Sequence, residues 1–430
     1  MKLSAWGRFP VIEARPLHYS GAQELIKKIS GSTSLIPFGN GRSYGDSALA
    51  ATYIPMRTRE RMLAFDEQAG LLTCEAGVLL SEIIAAFLPK GWFLRITPGT
   101  KLITVGGAIA SDVHGKNHHV AGCFSECVHS MSVLLPSGEV QSCVKGDELF
   151  HATCGGMGLT GVILDARIAL CKVSSKNIEQ RTIKTRSLRE TFEAFEQYAA
   201  LPYSVAWIDC MAKGDKIGKG LLKVGDFAAD DDLTYTVKDS ISVCCDFPSW
   251  ALNKYSISAF NRLYYHQAPV GESRQRISLD DFFYPLDRIT NWNRLYGKAG
   301  FTQYQFVLPK DESFAGLNDI LKSISQIGKG SFLAVLKLFG KDNGNYLSFP
   351  MEGYSLALDF KIEKGIFTLL DSLDQKVLRY GGRIYLAKDV RVGKEAFEQG
   401  YPHIEKFRAF RGKYGMNAKF NSLQSDRLGL

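Results

Sequence analysis

The residue types best suited to chemistry in this sequence are gathered in glycine-rich stretches. The first, residues 39–47 (GNGRSYGDS), offers backbone N–H groups together with Arg42 and Ser43 to an anion. The second, residues 97–127, contains glycines that let the backbone lie directly against a ligand, and a third glycine-rich turn covers residues 155–161. Three such turns in one part of the chain predict a phosphate-containing cofactor.

The sequence lacks two common nucleotide-binding motifs, and their absence excludes two kinds of nucleotide site. No GxxxxGK[ST] occurs, which excludes a P-loop nucleoside triphosphatase, and no GxGxxG lies between a strand and a helix as a Rossmann unit requires. A dinucleotide held by several glycine turns of a mixed α and β domain remains.

Histidines and cysteines within residues 97–127 raise the alternative of a metal or thiol site. His118, His119, Cys123 and Cys127 lie close together in sequence. Their spacing does not match a pair of chelating turns, and structural zinc usually takes ligands from two separated elements. A nucleophilic cysteine stays open, although no neighbouring residue marks which thiol would be activated. We therefore predict no metal site.

The strands, hairpins and helices predicted around these residues are short and closely spaced, unlike a regular array of β-α-β units. The patterns predict a strand at residues 33–38, hairpins at 61–77 and 131–143, and a helix at 79–88. This order predicts the α+β class. Near residue 175 glycine becomes rarer and longer alternating segments follow, so we place a domain boundary there.

The second half of the chain carries two unusual segments. Lys337 lies in the middle of the otherwise apolar residues 329–340, where a charge is costly unless it is paired or functional. Residues 247–266 are rich in aromatic side chains and contain no acid. They fit either a core helix or an interfacial segment that meets lipid, and the sequence leaves both open.

Composition indicates a folded protein with room for two domains or one domain with a large insert. The 430 residues are 45% hydrophobic and 22% charged. The nine cysteines form no framework, residues 1–20 lack the apolar core of a signal peptide, and no run of 18 apolar residues occurs, so we expect a cytoplasmic protein. The net charge of +8 is diffuse, which favours an anionic small molecule or a membrane surface and argues against nucleic acid.

Several segments spread over nearly the whole chain are distinctive when taken together. They are PFGNGRSYGD (37–46), EAGVLLSEI (75–83), PGTKLITVGGAIASDVHGKNHHVAG (98–122), GGMGLTGVI (155–163), QYQFVLP (303–309), KLFG (337–340) and RIYLAKDVR (383–391). In these segments the chain resembles the vanillyl-alcohol-oxidase/p-cresol-methylhydroxylase (PCMH) flavoproteins. Within that family it is most similar to the oxidases of lipid-linked ribose in arabinose synthesis.

The resemblance implies a fold and a division of the chain. The expected architecture is a PCMH-type FAD-binding domain of two α+β subdomains, with a substrate (cap) domain whose antiparallel sheet is flanked by helices. We assign residues 1–175 to the FAD-binding domain and residues 176–400 to the cap domain. Residues 401–430 are expected to return to the FAD-binding domain.

The resemblance also implies FAD as the cofactor and the residues that hold it. Many members attach FAD through a histidine in the first loop, and Tyr44 takes that place here, so we predict FAD that is not covalently bound. The implied cofactor-binding residues are Gly39, Asn40, Gly41, Arg42, Ser43, Tyr44, Gly45, Asp46, Ser47, Gly99, Thr104, Val105, Gly106, Gly107, Ser111, Asp112, Val113, His114, Val162, Ile163 and Tyr385.

The implied reaction is the oxidation of a secondary alcohol. Lys388 matches the essential lysine of the family and His114 is a candidate for positioning substrate or assisting proton removal. The substrate-binding candidates are Lys116, Gln305, Lys337 and Ser355. The strand that carries Ser355 departs from the mycobacterial members, which have a cysteine where this chain has Ala357.

The expected substrate is the ribose of a polyprenyl phosphate, oxidised at the 2′-hydroxyl to a keto sugar in the first half of an epimerisation to the arabinose form. An NAD(P)H-dependent reductase is the expected pathway partner, and peripheral contact with the inner membrane is left open. The alternatives are an aldonolactone- or alditol-type oxidase of a soluble sugar and a non-catalytic module that binds an anion or a membrane.

Overall fold

The computed structural model describes residues 1–236 and 240–430. The strands are β1 Lys2–Leu3, β2 Ile12–Glu13, β3 Arg15–Pro16, β4 Ile36–Phe38, β5 Thr52–Pro55, β6 Met62–Asp66, β7 Leu71–Glu75, β8 Trp92–Leu94, β9 Val128–Leu134, β10 Val140–Val144, β11 Val162–Lys172, β12 Asn177–Thr185, β13 Tyr203–Ile208, β14 Gly220–Phe227, β15 Ile241–Ser242, β16 Glu272–Ser278, β17 Ile289–Thr290, β18 Phe301–Pro309, β19 Ala334–Phe339, β20 Gly353–Lys361 and β21 Arg383–Ile384.

The helices connect these strands without a repeating pattern. They are α1 Ala22–Ser30, α2 Leu80–Phe87, α3 Val105–Ala110, α4 His118–Ala121, α5 Glu148–Thr153, α6 Leu188–Gln197, α7 Lys254–Gln267, α8 Leu279–Phe283, α9 Lys310–Ile327, α10 Ile366–Arg379, α11 Lys394–Gly400, α12 Ile404–Lys413 and α13 Leu423–Leu428. Among the described residues no helix is both long enough and apolar enough to cross a membrane.

The strands up to Lys172 form two sheets of different kinds. A small parallel sheet has the order β3-β5-β4, and an antiparallel sheet has the order β10-β9-β11-β7-β6, with β8 pairing the end of β11. Helix α3 packs against β11, and Thr104 caps its start by accepting a hydrogen bond from the N–H of Gly107. Helices mixed with parallel and antiparallel sheets confirm the predicted α+β class.

A large antiparallel sheet is formed by later strands, in the order β16-β12-β14-β13-β19-β20-β18-β21. Since side chains alternate along a strand, each strand presents one face to helices and the other to the opposite side. On the helix face the Tyr304 hydroxyl donates a hydrogen bond to Asp374 of α10 at 3.0 Å. The Tyr354 ring stacks on Phe192 of α6. The opposite face carries the site described below.

Residues 401–430 contact the segments before β5 and after β21. Leu35 pairs with Phe420 in a parallel bridge, the N–H of Leu423 donates to the carbonyl of Leu49, and Gln424 donates to the carbonyl of Leu386. The division at residues 175 and 400, and the return of residues 401–430 to the FAD-binding domain, stay predictions.

The aromatic segment at 247–266 differs from a continuous helix. Helix α7 begins at Lys254, because the Asn253 side chain accepts hydrogen bonds from the N–H groups of Tyr255 and Ser256 and so ends the preceding turn. Of α7, Asn261 and Tyr265 are buried and most other side chains face outward.

Candidate active site

A cavity of about 560 Å³ runs from the 39–47 loop to the large sheet. The predicted site residues that line it are Gly39, Asn40, Gly41, Arg42, Ser43, Tyr44, Ser47, Gly99, Thr104, Gly106, Gly107, Ser111, Val113, His114, Lys116, Ile163, Gln305, Lys337, Ser355, Tyr385 and Lys388. The predicted residues that do not line it are Gly45, Asp46, Val105, Asp112 and Val162.

At the loop end the cavity offers donors to an anion. In the part of the chain that the structure describes, the backbone N–H groups of residues 40–43 have no protein acceptor, and neither has the buried Nε of Arg42. The Asn40 side chain donates to the carbonyl of Leu102 at 2.7 Å, which fixes the loop. Unpaired donors beside a cation suit the diphosphate of a dinucleotide. The residues therefore fit FAD.

Four of the five predicted residues that do not line the cavity pack against, or form hydrogen bonds with, other parts of the protein. Gly45 lies so close to the carbonyl of Asp389 that a Cβ would clash with it. Asp46 accepts hydrogen bonds from Arg427. Val105 and Val162 are fully buried in the core.

Asp112, the fifth, is buried and accepts hydrogen bonds chiefly from the loop between β19 and β20. It accepts hydrogen bonds from the Ser125 N–H at 2.9 Å, the Asn343 amide at 2.7 Å, the Asn345 amide at 2.9 Å and the Ser348 hydroxyl at 2.7 Å. Its φ of 38° lies in the left-handed region, which is uncommon for a non-glycine residue. Its carboxylate thus ties the chain between β19 and β20 to the end of α3.

His114 is buried at the end of the cavity that lies against the large sheet. Its Nε2 lies 3.0 Å from the Gln305 amide nitrogen, and that amide also lies 3.2 Å from the Ser355 hydroxyl. Its Nδ1 has no partner among the described residues. Burial lowers the pKa of His114 well below its usual value, and Lys337 adds to the effect. The imidazole is therefore neutral near pH 7.

Lys388 lies with its Nζ 3.6 Å from the centre of the Tyr44 ring. Within the described residues its Nζ makes no hydrogen bond to the protein. Burial lowers its pKa to about 7, Asp359 opposes that shift, and Lys337 reinforces it. An amine with this pKa exchanges its proton near neutral pH, which suits a proton acceptor.

Sequence reasoning missed the carboxyl group beside Lys388. Asp359 is buried and accepts hydrogen bonds from the Gln303 amide at 2.6 Å and the Tyr296 hydroxyl at 3.4 Å. Burial raises the pKa of Asp359 to about 7, against the opposing charge of Lys388. The available signal was alternation, since Gln303 and Asp359 occupy the same face of their strands as Gln305 and Ser355.

The two other predicted lysines also reach the cavity. Lys337 faces Ser355 across β19 and β20, and burial lowers its pKa to about 8. Lys116 donates to the carbonyl of Phe282 and lies 4.7 Å from that ring centre. Burial, followed by the charges of Lys337 and Lys223, lowers the pKa of Lys116 well below its usual value.

The histidines and cysteines of residues 118–127 have packing contacts. The Cys123 sulfur lies 3.3 Å from His118 Nε2, His119 Nε2 lies 3.0 Å from the carbonyl of Leu201, and the Cys127 thiol bonds a carbonyl of its own turn. Among the described residues no group of three or more His, Cys, Asp or Glu side chains is arranged to hold a metal.

Comparison with known proteins identifies the cofactor and the family. Residues 16–144 match the family described as FAD binding domain. The whole chain is 36% identical to decaprenylphosphoryl-β-D-ribose oxidase of Mycolicibacterium smegmatis, of which 97% is covered. It is 28% identical over 82% of its length to an uncharacterized protein of Streptomyces coelicolor that is covered in full. L-gulonolactone oxidase of Scyliorhinus torazame is 27% identical over 30% of each chain.

These matches confirm the predicted FAD cofactor and the prediction of an FAD-dependent oxidoreductase. The segments that suggested the PCMH-type flavoproteins lie on both sides of residue 144, and the similarity to the mycobacterial oxidase extends over all of them. The chain belongs to the decaprenylphosphoryl-β-D-ribose oxidase family of FAD-binding oxidoreductases.

Proposed function

We propose that this protein oxidises the 2′-hydroxyl of a polyprenyl-phosphate-linked ribose to a keto sugar. The observation that carries the proposal is one cavity that joins the anion-binding loop to Lys388, His114 and Gln305, in a chain similar throughout to an oxidase of decaprenylphosphoryl-β-D-ribose. Oxidation of a secondary alcohol removes a hydride from carbon and a proton from oxygen. FAD supplies the two-electron acceptor for that hydride.

Lys388 is the residue to which we assign the proton. With a pKa of about 7, its amine is partly neutral at physiological pH and can take the proton of the sugar hydroxyl. The resulting ammonium lies above the Tyr44 ring, where a cation is stabilised by the ring face. The charge of Asp359, on β20, favours the same ammonium.

His114 and Gln305 are assigned to hold the sugar. The neutral imidazole and the amide form a hydrogen-bonded pair, so each presents its remaining polar atom in a fixed direction. The unpaired Nδ1 of His114 is a buried polar atom that a ligand would satisfy. Aromatic rings of Phe339, Phe349 and Tyr385 surround the imidazole and limit the entry of water.

The test is anaerobic mixing of the holoenzyme with synthetic polyprenyl-phosphoryl-ribose while the flavin absorbance is recorded. We expect bleaching in the wild-type protein and, in Lys388→Ala, retained FAD with bleaching slowed by at least about 100-fold, the usual size of a lost acid-base group. Unchanged bleaching in Lys388→Ala would remove the role assigned to Lys388. Equal bleaching by free ribose would favour an oxidase of soluble sugars.

Two partners belong to the same proposal. The keto sugar would be reduced by an NAD(P)H-dependent enzyme to complete the epimerisation. A membrane would hold the lipid-linked substrate, and we propose peripheral contact through an aromatic surface of Phe247, Trp250, Tyr255, Phe260 and Leu263. These side chains are 40% to 76% exposed, and apolar groups on an otherwise polar surface suit a lipid interface.

A further inference from the structure

A cluster of lysines lines the cavity beyond His114 and Gln305. Lys223 on β14 lines it together with Lys337 on β19 and Lys116 before α4. In residues 1–236 and 240–430 none of these ammonium groups forms an ion pair with a carboxylate: Lys116 donates to a carbonyl and Lys223 to a tyrosine hydroxyl. Like charges collected in one partly buried cavity repel one another, so the arrangement is costly unless an anion binds between them.

The lysines follow the strand order of the large sheet. Gln305 faces Ala357 across β18 and β20, Lys337 faces Ser355 across β19 and β20, and Lys223 faces Val205 across β14 and β13. From β18 to β14 there are four strand spacings, or about 19 Å. The cationic wall therefore starts beside the reacting groups and extends away from them.

An aromatic wall continues from the lysines to the outside of the molecule. The Lys223 amine donates to the Tyr264 hydroxyl at 3.3 Å, and Tyr264 packs on Trp207 with ring centres 4.8 Å apart. Phe260 stacks against Tyr264 at 5.9 Å and lines the cavity while 44% of its surface is exposed. Phe260 thus lies both in the cavity wall and in the aromatic surface.

The order of these groups matches one class of ligand. A sugar at Gln305 is followed by a row of cations and then by an apolar exit, which is the order of sugar, phosphate and hydrocarbon chain in a glycosyl lipid phosphate. We propose that Lys223, with Lys116 and Lys337, binds the phosphate of the substrate, and that Trp207, Phe260 and Tyr264 guide its prenyl chain to the surface. This inference rests on the proposed function, of which it specifies the phosphate and lipid subsites.

The subsite is tested by binding in the absence of any sugar. Farnesyl phosphate, farnesol and inorganic phosphate are titrated into the FAD-loaded protein, and dissociation constants are measured by calorimetry. We expect farnesyl phosphate to bind at least about tenfold more tightly than farnesol, because hydrogen bonds between charged groups are stronger than those between neutral groups. Lys223→Gln is expected to lose most of that difference, and Lys223→Arg to keep it.

Lys184→Gln is the matched control. Lys184 also lies over a tyrosine of α7, with its Nζ 4.6 Å from the Tyr265 ring, but it lies outside the cavity. We expect this variant to bind farnesyl phosphate like the wild type. Phe260→Asp is expected to weaken both prenyl ligands about equally, since it changes the chain exit and leaves the lysines in place. FAD content and melting temperature check the folding of every variant.

The outcomes separate this inference from the proposed function. Equal affinity for farnesyl phosphate and farnesol, or a preference that Lys223→Gln leaves intact, would overturn the phosphate subsite even if polyprenyl-phosphoryl-ribose bleaches the flavin. Binding of farnesyl phosphate that depends on Lys223, in a protein whose flavin the ribose lipid does not bleach, would support the subsite and reject the oxidation. Tight binding of inorganic phosphate alone would assign the lysines to free phosphate and remove the prenyl exit.

Discussion

Tyr44 lies in the 39–47 loop, where the resemblance to PCMH-type flavoproteins implied the position of a histidine that attaches FAD. Its ring packs against Phe301 and Trp292, and Lys388 covers its face. A phenol held in this way replaces the histidine that would form the bond, so we predict FAD that leaves intact on denaturation. The measurement is flavin fluorescence in the protein and supernatant fractions after acid precipitation. Fluorescence that stays with the precipitated chain would contradict this.

Lys337 lines the cavity at a cost to the stability of the fold. Burial lowers its pKa from 10.5 to about 8, and because one pKa unit corresponds to about 1.4 kcal/mol, holding the charged form costs about 3 kcal/mol. Lys337→Met should therefore raise the free energy of unfolding by up to about 3 kcal/mol below pH 8 and weaken substrate binding.

The sign of the pH dependence follows from the lowered pKa. Below pH 8 the lysine is charged in both the folded and the unfolded protein, so the full cost is present. Above pH 10.5 it is neutral in both, and the advantage of Lys337→Met disappears. Melting temperatures at pH 7 and pH 10.5 check this, with the partly exposed Lys184→Met as control. A Lys337→Met advantage that persists at high pH would argue for better packing instead.

At the scale of elements, the strands of the large sheet show which features could be predicted from sequence alone. The isolated Lys337 within the apolar residues 329–340 predicted a charge that is paired or functional, and this side chain lines the cavity. The partnership of Asp359 with Gln303 was not predictable, because it depends on the pairing of β18 with β20 across more than fifty residues. Local pattern defines a face, but register decides which groups on it meet.

The loop between β19 and β20 depends on Asp112, for which the family resemblance implied contact with FAD. Asp112→Asn replaces one acceptor oxygen with an amide and leaves a buried donor without a partner, at about 1–3 kcal/mol for each unsatisfied group. We expect a lower melting temperature and faster proteolysis of residues 341–350. Asp215→Asn, at an exposed turn, is the control. Weaker FAD binding with unchanged melting would instead favour direct contact with the cofactor.

The aromatic surface around α7 predicts binding to lipid vesicles. Replacement of Trp250 and Leu263 by serine should weaken sedimentation with anionic vesicles by roughly tenfold per side chain, since each exposed apolar side chain that enters lipid contributes at least about 1.5 kcal/mol. The control is the double replacement of Val140 and Val144, which are also exposed but lie on β10. Equal loss in both double variants would show that the surface is not specific.

At the scale of the whole molecule, Arg427 joins three distant parts of the chain. From α13 it donates to Asp46 at 2.9 Å, within the 39–47 loop, and pairs with Asp389 at 3.0 Å, next to Lys388. Because removing one partner leaves buried carboxylates unpaired, Arg427→Gln should cost about 3–5 kcal/mol of stability. It should also raise the dissociation constant of FAD, measured by flavin fluorescence.

Lys413→Gln is the comparison for that variant. Lys413 forms a surface ion pair with Glu148 at 3.7 Å, and such a pair contributes about 0–1 kcal/mol. If both variants retain the FAD affinity of the wild type, the C-terminal segment does not support the loop. No local pattern around Arg427 marks its role, because its partners lie 38 and 381 residues away.

The division of the large sheet into a helix face and a cavity face has a consequence for how the protein can change over generations. Core and site alternate along the same strands, so a new side chain at Ser355 or Ala357 alters what the cavity accepts while Leu356 and Leu358 continue to pack as before. Ala357, where the resemblance implied a cysteine in the mycobacterial members, is one of these cavity-facing positions. Divergence of substrate preference therefore requires no rebuilding of the scaffold, and related chains can differ in specificity while keeping one fold.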